Sequence, residues 1–117
     1  MRFRLIVVAV LSVALLMPGM LLAGVTSAAL TGSTPVDLSA AGQHAYDPVV
    51  AMSADGATQT VTWRRSDGTN YRVQVATSTN SGATWSAVAD LSAAGQNALD
   101  PVVAMSADGA TQTVTWY

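Results

Sequence analysis

Downstream of Asp47 the chain runs in short apolar stretches that alternate with polar positions, and turns containing glycine separate them. The first stretch, Pro48 to Ser53, carries Val49, Val50 and Met52. It follows Asp47-Pro48, and a residue before proline is steered away from helix toward extended backbone. Ala54-Asp55-Gly56 then reads as a tight turn. The second stretch, Thr58 to Arg64, alternates cleanly, with Gln59, Val61 and Trp63 to one side and Thr58, Thr60 and Thr62 to the other. Ser66-Asp67-Gly68-Thr69 is a second hairpin signal. The third, Asn70 to Thr77, sets Tyr71, Val73 and Val75 against Arg72 and Gln74. A weaker fourth covers Trp85 to Leu91. Leu38 to Gln43 and Leu91 to Gln96 read as loops between units. No interval between turn signals is long enough for a helix, so the pattern predicts an all-β fold.

The pattern also repeats. Residues Asp37 to Trp63 and Asp90 to Trp116 are two versions of one 27-residue sentence, identical at 25 positions and offset by 53. The exceptions are His44 against Asn97 and Tyr46 against Leu99. A period in this range signals a propeller, a solenoid or another array of stacked supersecondary units. The expected organisation is residues 37–89 as a first repeat, 90–117 as part of a second, and 29–36 as a linker. Four antiparallel strands and a connection make one propeller-type blade, and Pro101 to Trp116 would supply two strands of the next. A closed propeller takes at least about four blades. The chain is therefore expected to be the N-terminal piece of a longer repeat protein, interrupted at Tyr117 within a strand.

Upstream the composition changes. Arg2 and Arg4 precede an apolar run from Leu5 to Leu22, broken by Ser12, Pro18 and Gly19, and small residues follow at Thr26 to Ala29. That order resembles a signal peptide over residues 1–28, cleaved after Ala28 or Ala29. A retained membrane anchor is the alternative, disfavoured by Pro18-Gly19 and the small-residue exit. The expected location is secreted or extracellular. Three arginines against seven aspartates then leave residues 29–117 at a net charge of 3 − 7 = −4. A mildly acidic surface without a basic cluster argues against nucleic acid and anionic membranes as partners. With no cysteine there are no disulfides, thiolate metal sites or thiol nucleophiles.

One turn carries a family signature. Ser78-Thr79-Asn80-Ser81-Gly82-Ala83-Thr84-Trp85 resembles the Asp-box, or BNR repeat, of sialidase-like β-propellers, Ser-x-Asp-x-Gly-x-Thr-Trp. Ser78, Gly82, Thr84 and Trp85 match, and Asn80 stands where the family has Asp. The chemistry agrees with the resemblance. Asn80 can accept bonds from its own turn, Gly82 permits a positive φ, and Trp85 can fold back over the hairpin. The resemblance implies a blade with the box between its third and fourth strands. It also implies a structural role for the box, away from any catalytic centre.

Catalytic chemistry is not implied. The family's enzymes use three dispersed arginines, a Tyr–Glu pair and an Asp, whereas this chain has no Glu and clusters Arg64, Arg65 and Arg72 within nine residues. Two aspartates held across a cleft would be the other route to glycoside hydrolysis, but Asp55, Asp67 and Asp108 occupy Asp-Gly turns. His44 has no second His or Cys to work with and reads as an exposed loop residue. Asp47, Asp55, Asp100 and Asp108 recur at the period without a calcium-loop spacing, so they read as turn residues, with no metal and no cofactor expected. Trp63 and Tyr71 are candidates for stacking on a sugar ring, with core packing as the competing role. Arg64-Arg65 beside Asp67 reads as a solvated hairpin end.

The sequence thus points to an exported, non-catalytic repeat protein, a scaffold or binding module for carbohydrate or a cell-surface protein. The alternative is a fragment of a sialidase-like glycoside hydrolase without its catalytic residues. Near-identical repeats favour the first, because a catalytic propeller needs blades that differ. An unpaired strand edge in the second unit would also template another chain, so marginal stability and self-association through that edge are expected.

Overall fold

A computed structural model describes residues 35–117; the signal-peptide and cleavage expectations fall outside them. The described residues are all-β. β1 (Ala45–Met52), β2 (Gln59–Ser66), β3 (Tyr71–Ser78) and β4 (Ala89–Asp90) form an antiparallel sheet in the order β1-β2-β3-β4. β5 (Val102–Met105) and β6 (Gln112–Thr115) pair as a separate antiparallel hairpin. No helix among the described residues is long and apolar enough to cross a membrane.

Two strands differ most from the pattern-based expectation, each for a local reason; β2 and β3 differ by one or two residues at their ends. β1 starts at Ala45 rather than Pro48. Its ladder with β2 runs through Tyr46↔Arg64, shifts register, and resumes at Val49↔Thr62. The intervening Asp47-Pro48 forms a bulge, with Asp47 in the left-handed region at φ 51°. A bulge is one of the few places where proline, lacking an N–H, fits in a sheet. The fourth stretch shrinks from Trp85–Leu91 to two ladder residues, Ala89 and Asp90, opposite Val75 and Gln74. The Ser86 N–H donates to Thr77 C=O at 2.8 Å, but the Thr77 N–H takes the Ser86 hydroxyl at 3.1 Å in place of a carbonyl. A side chain competing for a backbone partner ends the regular ladder there.

Leu38, Val61, Trp63 and Ala76 form the core cluster, and Ala45 and Trp85 pack against it. Leu38 comes from a segment expected to be loop. It is loop in backbone and core in side chain. β2 is buried on both faces, which its one-sided alternation did not signal. Thr60 and Thr62, on the face opposite Val61 and Trp63, are fully buried. Their hydroxyls are satisfied, Thr62 Oγ1 donating to Gln74 C=O at 2.9 Å and Thr60 Oγ1 bonding Thr77 Oγ1 at 3.0 Å and Gln112 Oε1 at 2.5 Å. The last of these belongs to the second repeat, whose hairpin lies on this face. A buried threonine face is tolerable only when each hydroxyl finds a partner.

Candidate functional site

The sheet has two ends of different character. At one end lie the turns. The Ser78 Oγ accepts the N–H of Gly82 at 2.9 Å and of Asn80 at 3.3 Å, and donates to Asn80 Oδ1 at 2.9 Å. Asn80 Oδ1 also takes the Thr84 N–H at 2.9 Å, and its Nδ2 donates to Thr84 Oγ1 at 2.8 Å. Ser81 and Gly82 both turn left-handed, at φ 57° and 83°. Trp85 packs onto the core, its buried indole N–H without a partner among the described residues. Ser78, Asn80 and Thr84 are thus tied to one another inside the turn.

A second turn device escaped the sequence reading. In Ser53–Thr58, Ser53 Oγ donates to Asp55 Oδ1 at 2.6 Å and accepts the Thr58 N–H at 2.9 Å, while Asp55 Oδ1 takes the Ala57 N–H at 3.0 Å. Ser106 and Asp108 repeat the arrangement with Ala110 and Thr111. The signal was present as a serine two residues before each aspartate. The serine hydroxyl, and after it the alanine amide, hold the Asp55 and Asp108 carboxyls below the ordinary carboxylate value. The amides of Asn70 and then Thr69 do the same for Asp67, with a smaller contribution from Arg72. The turns are also joined in a row: Ser81 N–H reaches Ala57 C=O at 2.9 Å, and Ala54 N–H reaches Ala107 C=O at 2.8 Å.

At the opposite end, β1 begins, β2 ends and β3 begins, and their side chains meet. The Arg64 guanidinium lies 4.9 Å from the Tyr71 ring centre and 5.6 Å from that of Tyr46, within cation–π range. The two tyrosines meet edge to face at 5.9 Å, and the His44 ring lies 5.8 Å beyond Tyr46. Asp47, aimed by the β1 bulge, pairs with Arg64 at 2.7 Å. Arg64 is therefore no solvated hairpin end; three strands hold it over aromatic rings. Trp63 is fully buried and its indole N–H donates to Gln74 at 3.1 Å, so that ring belongs to the core. Of the two stacking candidates, Tyr71 alone stands at this end, and Tyr46 joins it.

The second repeat builds the same place from different residues. Asn97 stands for His44, Leu99 for Tyr46, and Tyr117 for Arg64, while the aspartate is kept as Asp100, again left-handed at φ 47°. Tyr117 OH donates to Asp100 Oδ2 at 2.8 Å, the counterpart of the Arg64–Asp47 pair. That bond, and then the carboxylate's charge, raise the Tyr117 phenol above its ordinary value. Asn97 Oδ1 accepts the Tyr71 N–H at 2.9 Å, so the two places adjoin. Extended by one residue on its C-terminal side, the repeat differs at three positions, all three at this end of the sheet; on its N-terminal side Val36 stands against Ala89.

Among the described residues no three His, Cys, Asp or Glu side chains gather as a metal site would need. Arg72 is committed elsewhere, to Asp90 at 2.8 Å and Ser92 C=O at 2.6 Å. The chemistry available at the variable end is ring stacking, a guanidinium and a carboxylate. No protein-family model, curated protein or solved structure matches the chain.

Proposed function

We propose that this is an exported, non-catalytic Asp-box repeat protein, its four-stranded sheet a propeller-type blade acting as scaffold for a binding site. The site is the Tyr46–Arg64–Tyr71 end, and its ligand a carbohydrate of the kind displayed on cell surfaces. One observation carries this reading: the repeats are identical where turns and core are built, and differ where His44, Tyr46 and Arg64 come together. Residues needed for folding must recur in each unit, whereas those that contact a ligand are free to vary. The chemistry suits a sugar. A pyranose ring stacks its C–H face on a tyrosine, and a guanidinium and a carboxylate bond hydroxyls to either side. Tyr46 is 37% exposed, and the second repeat carries Leu99 in its place.

The test is titration of the exported chain with a panel of soluble oligosaccharides, followed by tyrosine fluorescence or calorimetry. Tyr46→Leu copies the second repeat, and circular dichroism checks that the variant keeps the wild-type fold. It is expected to weaken binding about tenfold, equivalent to about 1.4 kcal/mol. Binding that survives this change undiminished, or no binding by any member of the panel, contradicts the proposal.

A further inference from the structure

The contact between the repeats uses two different surfaces, and each has an unused twin. Strand register divides the β1–β2 hairpin into a front, with Val50, Met52, Gln59 and Val61, and a back, with Val49, Ala51, Thr60 and Thr62. The same register in β5–β6 puts Val103, Met105, Gln112 and Val114 in front and Val102, Ala104, Thr113 and Thr115 behind. The front of β5–β6 lies on the back of β1–β2. Thr60 from the back bonds Gln112 from the front. A Cβ at Gly109 would stand 2.8 Å from Thr58 and 3.3 Å from Ser53, so only glycine lets the turns approach this closely. The Ala54 N–H to Ala107 C=O bond links the same position in successive units, 107 − 54 = 53 residues apart. Front on back is a heterologous contact, which leaves one copy of each surface open for the next unit.

The open copies are visible. Val103 in the used front is 8% exposed, whereas its twin Val50 is 49% exposed and Met52 is 44% exposed. Gly56, the twin of Gly109, has nothing within 4 Å of where its Cβ would be. On the other surface, Thr60 is 1% exposed while Thr113 and Thr115 lie open, and Val102 is 57% exposed. Gln59 and Val61 on the β2 side of this front are buried within their own chain, so the open part is the β1 side, Val50 and Met52, facing the open Val102 and Ala104 of the other surface.

We infer that a second copy of this chain docks head to tail, the front of its β1–β2 seated on the back of the first copy's β5–β6. Val50 and Met52 of the second copy meet Val102 and Ala104 of the first beside Thr113, and Ala107 N–H meets the second copy's Ala54 C=O. This is a face-to-face contact, distinct from pairing along the free edge of β6.

Sedimentation velocity on the exported chain tests it. Val50→Arg blocks the front and Thr113→Arg blocks the back, each at a position exposed within one chain. Wild type is expected to associate as concentration rises, and each variant to sediment as a monomer with wild-type circular dichroism. An equimolar mixture of the variants is expected to form dimers and nothing larger, because one good front and one good back remain. Should either variant fail to fold, Met52→Arg or Val102→Arg takes its place. Wild type that stays monomeric, or variants that associate as wild type does, overturns the inference; the latter outcome assigns association to the strand edge.

Discussion

At the residue scale one set of polar side chains closes turns and another gathers at the variable end. Ser53, Asp55, Ser78, Asn80, Ser106 and Asp108 spend their oxygens on amides and hydroxyls of their own turns. Acid should reveal this. The carboxyls of Asp55, Asp67 and Asp108 lie below 3.8, the value for the unfolded chain, because the folded turns donate hydrogen bonds to the charged form. A group with a depressed folded value stabilises above the unfolded value and loses that contribution as pH falls through the folded one. The melting temperature should therefore show no loss from these groups between pH 7 and about 4, then drop below about pH 3.8. Asp55→Asn with Asp108→Asn should flatten the drop, since asparagine accepts the same bonds at any pH, as Asn80 does. An equally steep acid limb in the double variant would contradict this account. Asp47 and Arg64 illustrate what the sequence concealed. Each looked like an ordinary turn or surface charge, and only the bulge at Asp47-Pro48 brings one to the other.

At the scale of elements, strand order and most strand limits were legible because glycine turns and alternating side chains mark them directly. The two-sided burial of β2 was not. Valine and threonine at alternate positions suit a strand with one wet face equally well, and whether the threonine face is wet depends on what packs there. The shortened β4 was hidden for a similar reason, since Ser86 chooses between ladder and side-chain bonding only in the folded turn. The packing of β5–β6 on β1–β2 gives a paired prediction. Gly56 and Gly109 share a sequence context and nearly the same φ, 72° and 73°, so alanine strains the backbone equally at both. Only at Gly109 does the new Cβ also collide with Thr58. Urea denaturation should show Gly56→Ala costing about 1–2 kcal/mol and Gly109→Ala about 1–3 kcal/mol more. Faster amide exchange in β5 and β6 should accompany the second. Equal costs would mean that the hairpins are not pressed together at this turn.

At the scale of the whole molecule the chain is a unit, a partial copy of that unit, and one place where the two differ. The repeat was plain in the sequence, and the Ser78–Trp85 turn was found by its resemblance to the Asp-box. The variable end was half legible. Positions 44 and 46 declared themselves by breaking an otherwise near-perfect repeat, but nothing in their spacing tied them to Arg64 and Tyr71, which come from other strands. The central claim is that this end, rather than the turn end, meets the ligand. NMR titration of the labelled chain with the oligosaccharide panel tests it most directly. Binding should shift the resonances of residues 44–47, 64 and 71 and leave Ser78 to Trp85 unmoved. Shifts centred on Ser78 to Trp85, or none with any oligosaccharide, would contradict it.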